Sequence, residues 1–330
     1  MNKLAVVALG GNALLRDNQA GTIEEQEQNT TDTLENLVFL INQGYDLVIT
    51  HGNGPQVGNI LMRNDAGENT YKIPQMPIDI CVADSQGGIG YMIERMMRNV
   101  LIKHNIKKEI VTLVTAVVVA ENDPAFQNPT KRIGKVYLAD QALQLAKDKG
   151  WTFKEEVKSA GGWRRVVPSP APIQIINEKV IKTLARQGVI TIAVGGGGIP
   201  VYYDSEGKVR AAEAVIDKDL ASSLLAGRIG ADEFYVLTDV PFIYRNFKKP
   251  DQVTLEFLDY ADTVKYLAAG EFSEGSMAPK IRACLLFLEH GGYKAVITEA
   301  FKLEDKSYGS KITMSYDPAD LAKYQQKNKL

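Results

Sequence analysis

Residues 4–12 read LAVVALGGN, in which six apolar residues run directly into two glycines and an asparagine. Apolar residues then recur at the spacing of one helical face between Leu34 and Ile41, and Gly44 follows where such a helix would end. Residues 46–54, DLVITHGNG, repeat the arrangement of the first stretch. A strand, a helix and a second strand within about fifty residues form a βαβ unit, which predicts a right-handed crossover and a parallel sheet.

Later apolar runs continue this pattern along the chain. We predict further strands at Ile110–Val119, Val189–Val194, Glu233–Thr238 and Lys294–Thr298. Their hydrophobicity is continuous rather than alternating, which is typical of strands that helices cover on both faces. The sequence therefore predicts an α/β fold around a mainly parallel sheet.

The composition is that of an ordinary globular protein. The chain has 330 residues, of which 45% are hydrophobic and 24% are charged. Its 38 lysines and arginines nearly balance 40 aspartates and glutamates, so the net charge of −2 gives no electrostatic reason to expect a nucleic-acid partner. No segment approaches the roughly 20 apolar residues of a membrane span, and the apolar N-terminus is too short for a secretion signal.

Cysteine and histidine usage indicates the compartment and the kind of site. Cys81 and Cys284 lie far apart and form no CxxC pair, so we expect neither a disulfide framework nor a zinc site. The three histidines are too scattered for a histidine-based metal centre. We predict a cytoplasmic protein without a membrane partner.

Two loops rich in glycine and asparagine follow the first two predicted strands. Gly10-Gly11-Asn12 comes after the first strand, and the run from His51 to Gly58, HGNGPQVG, comes after the second. The carboxyl ends of neighbouring parallel strands meet at one crevice, where backbone N–H groups can bind phosphate oxygens. Together the loops predict an oxyanion site, although each alone is also compatible with a plain tight turn. We expect His51 to be a packing residue rather than a base.

A third glycine run, from Gly195 to Gly198, follows the strand that ends at Val194. It fits neither the Rossmann pattern GxGxxG nor the P-loop pattern GxxxxGK[ST]. Four glycines allow another chain or a ligand to approach the backbone closely. The run is therefore either a kinase loop of another kind beside a nucleotide or substrate, or a structural hinge.

Two lysines have neighbours that suit phosphoryl transfer. Lys218 stands between Asp217 and Asp219, and Lys280 lies at the predicted start of a helix. Stabilising the negative charge of the moving phosphoryl group is most of the catalysis in such reactions, and two ammonium groups held by a carboxylate such as Asp219 would provide it. The alternative is that both lysines are solvated surface charges.

One long stretch, residues 122–172, departs from the alternation of strands and helices. It holds several prolines and glycines and the pair Arg164-Arg165, which could bind an anion or form a structural ion pair. We predict an excursion from the sheet, partly strand-like and partly mobile. Long irregular segments of compact proteins commonly act as lids, and a decorative insertion is the alternative.

Several long motifs of the chain are shared with one enzyme family. They are residues 8–14, 50–58, 122–126, 128–131, 164–170, 195–201, 214–219, 237–240 and 275–280. With these motifs the sequence resembles the carbamate kinases of the amino acid kinase superfamily over nearly its whole length. The pattern of superfamily members that act on acetylglutamate or aspartate has a lysine at the position that Ala8 occupies in this chain.

The resemblance implies a three-layer αβα sandwich with a mainly parallel eight-stranded open sheet and a small protruding subdomain. Residues 1–330 would form a single amino acid kinase domain. Its N-terminal lobe, about 1–190, would bind carbamoyl phosphate and carry the protruding subdomain at about 122–172. Its C-terminal lobe, about 191–315, would bind the nucleotide, and no regulatory domain is expected to follow.

The resemblance also implies three sets of site residues. The catalytic residues would be Lys131, Lys218, Asp219 and Lys280. Carbamoyl phosphate would be bound by Gly10, Gly11, Asn12, Gly52, Asn53, Arg164 and Arg165. The nucleotide would be bound by Gly196, Gly197, Lys218, Thr238, Asp239, Tyr244, Met277, Pro279 and Lys280. Mg2+ would be held through the phosphates of ATP or ADP with no direct protein ligand, and the protein would be a homodimer.

The chain departs from the family pattern in a few places. Arg132 replaces a proline of the subdomain motif, Trp163 replaces a tyrosine, and a polar tail follows Ile312. Two alternatives to carbamate kinase stay open: a kinase of the same fold for another small carboxylate, and a catalytically inactive sensor. Arginine, agmatine, purine or allantoin breakdown would each be a compatible source of carbamoyl phosphate.

Overall fold

The computed structural model describes residues 2–16, 19–156 and 162–315. Residues 316–330 of the polar tail and Gly161, which precedes the arginine pair, lie outside these ranges. The α-helices are α1 (Ile23–Asn42), α2 (Gly54–Tyr71), α3 (Ile78–Lys103), α4 (Ala139–Lys149), α5 (Glu178–Arg186), α6 (Lys218–Ile229), α7 (Tyr260–Ala268) and α8 (Met277–Glu289). No helix in the described ranges is long and apolar enough to cross a membrane.

The strands are short and are spread over the whole described chain. They are β1 (Leu4–Leu9), β2 (Asp46–His51), β3 (Ile110–Thr112), β4 (Ala116–Val118), β5 (Lys131–Tyr137), β6 (Thr152–Glu155), β7 (Trp163–Val167), β8 (Gln174–Ile175), β9 (Ile190–Ile192), β10 (Ile199–Tyr203), β11 (Val209–Ala211), β12 (Glu233–Leu237), β13 (Ile243–Arg245), β14 (Val253–Leu255), β15 (Phe257–Asp259), β16 (Lys294–Thr298) and β17 (Ser310–Thr313).

The main sheet has eight strands in the order β15-β17-β16-β12-β1-β2-β9-β3. Neighbouring strands are parallel except β16 and β17. Alternate residues of β1 enter two cores. The set that begins at Leu4 packs with α5, α6 and α8, and the set that begins at Ala5 packs with α1 and α3. Helices thus cover both faces, which confirms the predicted three-layer αβα fold.

The prediction of one strand at Ile110–Val119 is wrong. β3 belongs to the main sheet, whereas β4 belongs to a separate four-stranded sheet ordered β11-β10-β4-β8. The break falls at buried Thr115, whose N–H donates to Gln86 Oε1 at 2.8 Å and whose hydroxyl accepts from the N–H of Val194 at 3.1 Å. These tertiary hydrogen bonds divide an apolar run that contains no glycine or proline to signal a break.

The predicted protruding subdomain is a three-stranded antiparallel sheet, β5-β7-β6, with α4 beside it. β5 bulges between Ile133 and Val136, where Gly134 has a positive φ of 69°. A side chain on Gly58 of α2 would place its Cβ only 3.4 Å from Gly134 Cα. The two glycines therefore let the subdomain backbone rest directly on α2.

Candidate functional site

The glycine loops meet at one edge of the main sheet. β1, β2 and β9 are neighbours, so the loops that follow them lie side by side at the carboxyl ends of the strands. A Cβ on Gly10 would lie 2.4 Å from the Leu237 carbonyl oxygen, whereas a Cβ on Gly11 would meet nothing within 4 Å. Gly10 is therefore required for packing, and Gly11 leaves an open space against its backbone.

Lys218 is directed to this edge by the start of α6. Asp217 caps the helix, because its carboxylate accepts from the N–H groups of Asp219 and Leu220 at 2.9 and 3.3 Å. The ammonium of Lys218 donates to the carbonyl of Leu9 at 2.5 Å. The charge of Lys218 is thereby fixed at the end of β1, next to Gly10.

Asp219 joins the two lysines that the sequence singled out. Its Oδ2 accepts from Lys280 Nζ at 2.8 Å, and its Oδ1 lies 3.8 Å from Lys218 Nζ. Burial opposes the charged form of Asp219, but Lys218 and Lys280 outweigh it and hold the pKa of this carboxyl below its ordinary value. The carboxylate is therefore ionised at neutral pH and keeps two cations together.

The pKa values of the two lysines move in opposite directions. Burial works against the Lys280 ammonium, yet its contact with Asp219 raises its pKa. Burial lowers the pKa of Lys218, and the proximity of Asp219 offsets this only in part. Both groups lie within a buried cluster, so their charges act in a medium where electrostatic interactions are stronger than in water.

The fourth predicted catalytic residue reaches the cluster from the subdomain. Lys131, the first residue of β5, forms an ion pair of 3.2 Å with Asp217, the cap of α6. The structure therefore brings Lys131, Lys218, Asp219 and Lys280 around the N-terminus of one helix. Asp217 is the residue that connects them, and its signal in the sequence is an aspartate directly before a helix.

The Asn53 loop is held by buried contacts. Asn53 donates from its amide to Ser85 Oγ at 2.8 Å. A Cβ on Gly196 would come within 2.3 Å of that amide, so this glycine packs directly on Asn53. The glycine run thus lies against the Asn53 loop, and the nucleotide-binding role of Gly196 and Gly197 stays a prediction.

His51 is buried at the end of β2. Burial lowers the pKa of His51 to about 4, and its Nδ1 lies 2.9 Å from the Gly52 carbonyl. A Cβ on Gly195 would come within 2.4 Å of its Nε2. An uncharged, tightly surrounded imidazole has the surroundings of a packing group, as the sequence predicts.

Several predicted nucleotide residues line an open cleft of about 460 Å³. Thr238, Asp239 and Lys280 line it together with the loop from Gly10 to Asn12. Met277 and Pro279 stand with Lys280 in the first turn of α8. Tyr244 lies on β13, where its ring stacks on Phe247 with centroids 5.5 Å apart.

The arginine pair is divided between two cavities. Arg164 lines a cavity of about 470 Å³ with Arg132 and with Gly54, which begins α2 directly after the Asn53 loop. Arg165 lines another cavity of about 300 Å³, where its guanidinium lies 3.9 Å from the ring centroid of Trp151. Of the two, Arg164 is on the side of the glycine loops.

Two hydrogen bonds of hydroxyl side chains that were not among the predicted site residues support the site. Thr50 at the end of β2 and Ser222 of α6 form a buried hydrogen bond of 2.6 Å. Ser85 of α3 holds Asn53. Single serines and threonines carry no motif of their own, so only the structure identifies these partners.

The parallel sheet, the glycine loops at its carboxyl edge and the buried lysines around one carboxylate are the parts of a phosphotransferase site. The chain belongs to the amino acid kinase family, whose sequence model matches residues 3–299. Several of its relatives within that family are carbamate kinases. The carbamate kinase of Pyrococcus furiosus is 46% identical over 302 residues, which cover 92% of this chain and 95% of the relative.

Two further comparisons agree. The carbamate kinase of Thermococcus kodakarensis is 47% identical over 296 residues, which cover 89% of this chain and 93% of the relative. The structure of Giardia lamblia carbamate kinase bound to AMP-PNP matches with a TM-score of 0.88 and 38% identity, covering 94% of this chain and 98% of that one. The predicted family and the predicted enzyme class, carbamate kinase, are thereby confirmed.

Proposed function

We propose that the protein reversibly transfers a phosphoryl group between carbamoyl phosphate and ADP, giving ATP and carbamate, which breaks down to ammonia and CO2. The observation that carries this proposal is the buried group of Lys218, Asp219 and Lys280 beside the Gly10 loop. A neutral site would not offset the charge of two phosphate-bearing substrates. Two fixed ammonium groups do so where the phosphoryl group moves.

The lysines act mainly while the phosphoryl group is in transit. Negative charge then spreads over its three equatorial oxygens, and cations already in position stabilise it without reorganisation. Asp219 holds Lys218 and Lys280 in position next to each other. The exposed N–H edge at Gly11 and Asn12 binds phosphoryl oxygens, since Gly11 leaves its surroundings open.

The two substrates occupy the two lobes of one domain spanning residues 1–330. Gly52, Asn53 and Arg164 bind carbamoyl phosphate from the N-terminal lobe at about 1–190. Thr238 and Asp239 bind the nucleotide from the C-terminal lobe at about 191–315, with Tyr244, Met277 and Pro279 beside them. Lys131 approaches the phosphoryl group from the subdomain at about 122–172, exchanging its Asp217 partner for the substrate.

Mg2+ accompanies the nucleotide in this proposal. The described residues contain no group of three acidic, histidine or cysteine side chains that could hold a metal by themselves. We infer that the nucleotide phosphates supply most ligands of the ion. Asp219 Oδ1 is buried without a hydrogen-bond partner in the described ranges. It can accept a hydrogen bond from a water molecule of the hydrated ion.

The protein functions as a cytoplasmic homodimer in the breakdown of arginine, agmatine or purines. Cys81 and Cys284 are both free and buried, which suits a reducing compartment. β3 ends the main sheet with a single neighbour, and apolar Tyr91 and Ile102 of the adjacent α3 are 63% and 73% exposed. A second copy covering this side would bury both. Sedimentation equilibrium giving a monomer mass would contradict the dimer.

A coupled assay tests the function. Purified protein given carbamoyl phosphate, ADP and Mg2+ should form ATP, detected by reduction of NADP in a linked reaction. With ATP as donor it should not phosphorylate acetylglutamate, aspartate, glutamate or UMP. Activity only with another carboxylate would show a different kinase of this fold. Nucleotide binding without any turnover would show an inactive sensor.

A further inference from the structure

A second group of lysines lies away from the phosphoryl-transfer site. Five of them line a cavity of about 140 Å³ on the α1 side of the main sheet, and we call this the lysine cavity. Its lysines are Lys3, Lys294, Lys302, Lys306 and Lys311. The only carboxylates among its described lining residues are Glu233 and Asp305. The cavity therefore carries an excess of positive charge.

The buried carboxylate of the cavity is already paired. Glu233 is 1% exposed and lies 2.9 Å from Lys294 Nζ and 3.8 Å from Lys3 Nζ. It also accepts a hydrogen bond of 2.5 Å from the hydroxyl of Tyr235. Glu233 thus neutralises one lysine, and with Asp305 as the second carboxylate the described lining keeps an excess of lysines.

The remaining three lysines lie over aromatic rings. Within the described ranges no salt bridge joins them to a carboxylate. The pairs and their distances from ammonium to ring centroid are Lys302 over Tyr308 at 5.6 Å, Lys306 over Phe39 at 5.8 Å and Lys311 over Phe257 at 4.8 Å. Rings hold a cation in place without neutralising it.

Three buried polar atoms of the cavity lack a hydrogen-bond partner among the described residues, and one of them, Glu233 Oε1, is held in the ion pair with Lys294. The ammonium of Lys311 and the hydroxyl of Thr298 are both inaccessible to solvent, and neither has a hydrogen-bond partner among the described residues. Thr298 is only 2% exposed. Burial, and then the charge of Lys294, lower the pKa of Lys311 to about 8. Buried polar groups are nearly always satisfied, so two in one small cavity indicate a ligand that both could bind.

We propose that the lysine cavity binds a small tetrahedral oxyanion of the class of inorganic phosphate, at a site separate from phosphoryl transfer. The cavity has five lysines and no arginine among its described lining residues. Ammonium groups act as point charges from several directions, whereas the planar fork of arginine matches planar carboxylates. The volume suits phosphate and excludes a nucleotide.

The lysine cavity shares a segment with the nucleotide cleft. Thr298 and Lys302 line the lysine cavity, while Glu299 and Phe301 between them line the cleft of about 460 Å³. Tyr308 of the lysine cavity donates a hydrogen bond of 2.5 Å to Glu299 Oε2. An anion bound by Lys302 and Lys311 therefore acts on a segment that also borders the nucleotide.

Isothermal titration of inorganic phosphate into the full chain saturated with AMP-PNP tests the site, because the nucleotide blocks phosphate at the transfer site. We expect one phosphate bound per chain. Lys311→Met keeps the aliphatic stem, removes the charge and should weaken phosphate binding at least tenfold. Lys208→Met removes an exposed lysine that pairs with Glu206 on the β10–β11 turn, and should leave binding unchanged.

Each possible result of the titration either supports or overturns the phosphate site. Absence of phosphate binding in the wild type, or equal affinity in wild type and Lys311→Met, overturns the site. A similar loss in Lys208→Met also overturns it, since the effect would then be general charge. Lys306→Met, at an exposed position, provides a second test if Lys311→Met does not fold. Acetate binding as tightly as phosphate contradicts the tetrahedral class.

The test is independent of the proposed function. If AMP-PNP does not bind, the same titration on the nucleotide-free protein still compares wild type with Lys311→Met. Loss of the difference between these two proteins contradicts the lysine cavity alone. Loss of ATP formation in the coupled assay contradicts the kinase proposal alone.

Discussion

The transfer site and the lysine cavity are both rich in lysine, but they balance their charge differently. At the transfer site Asp219 lies between Lys218 and Lys280, so both ammonium groups keep their positions without substrate. In the lysine cavity Glu233 pairs with Lys294, whereas Lys311 forms no salt bridge or side-chain hydrogen bond with any residue that the structure describes. The first arrangement is preorganised for a reaction, whereas the second depends on an anion from outside.

The pKa values of the buried lysines also differ between the transfer site and the lysine cavity. Lys280 and Lys311 are both substantially buried, and burial alone would lower the pKa of each. Contact with Asp219 reverses this for Lys280, whereas the charge of Lys294 adds to it for Lys311. For Lys280 the neighbouring carboxylate outweighs burial, whereas for Lys311 burial is the larger cause and the second lysine adds to it.

The largest effect is expected from removing a paired lysine. Lys280→Ala should lower kcat by on the order of 10²–10³ with a smaller change in KM, because the ammonium acts mainly in the transition state. Steady-state kinetics of ATP formation measure this. Lys265→Ala, an exposed lysine on α7, is the matched control and should behave as wild type. Near-normal kcat in Lys280→Ala would remove the proposed role of this residue.

Removing the carboxylate that Lys218 and Lys280 share should change the free energy of unfolding in the opposite direction from removing a lysine of the lysine cavity. Asp219→Asn leaves Lys218 and Lys280 as uncompensated buried charges and should lower the free energy of unfolding by about 3 kcal/mol. Lys311→Met removes a buried charge that forms no salt bridge or hydrogen bond within the described ranges, so it should raise the free energy of unfolding in phosphate-free buffer. Chemical denaturation of both variants measures the signs.

The control for Asp219→Asn is Asp84→Asn, an exposed aspartate on α3 that should be neutral. A stabilised Asp219→Asn protein, or a destabilised Lys311→Met protein, would show that the two lysine groups do not differ as described. Either result would require an unrecognised partner for the lysine concerned.

A smaller effect is expected at the subdomain. Lys131→Ala should raise KM for carbamoyl phosphate about tenfold and leave KM for ADP nearly unchanged, because Lys131 approaches only the transferred group. The Lys131–Asp217 pair is partly exposed, so stability should change by less than about 1 kcal/mol. Lys147→Ala on α4 of the same subdomain is the control. Equal losses for both substrates would contradict the division between lobes.

The smallest effect concerns pH. The pKa of Lys311 is about 8 in the folded protein and about 10.4 in an unfolded chain. Between these values the unfolded chain holds the proton that the folded protein has lost, so the contribution of Lys311 to stability rises with pH. Below about pH 8 both states are protonated and the slope vanishes.

Denaturation of wild type and Lys311→Met at about pH 7 and about pH 10 measures this contribution. From the lower to the higher pH, the free energy of unfolding of the wild type should rise relative to that of Lys311→Met by on the order of 1 kcal/mol, after allowance for solvent screening. The neighbouring charges that set the value are Lys294, Glu256 and Asp305. A stability difference that does not change with pH would mean that Lys311 titrates normally.

The sequence was a good guide to the main sheet because its strands are continuous apolar runs between glycines. The strand predicted at Lys294–Thr298 is confirmed to the residue, and the predicted Glu233–Thr238 ends one residue earlier. The run at Ile110–Val119 could not be divided from sequence, because the break depends on the hydrogen bonds that Thr115 donates to Gln86 and accepts from Val194.

The candidate site shows the same limit. Lys218 and Asp219 were predictable because Lys218 stands between two carboxylates directly after an apolar run. Their proximity to Lys131 depends on the hydrogen bond between Lys131 and Asp217, which are 86 positions apart in the chain. The lysine cavity carries no local signal, because its lysines come from separate segments between Lys3 and Lys311.

The central position of β1 has a consequence for synthesis. β1 pairs with β2 on one side and with β12 on the other, and the N–H of Leu4 bonds to Asp232, 228 positions away. A nascent chain therefore exposes an unpaired, wholly apolar strand edge until β12 has left the ribosome. Long-range pairing of this kind is slow and open to aggregation. The second lobe thus completes the folding of the first, and chaperones that shield sheet edges should act before β12 emerges.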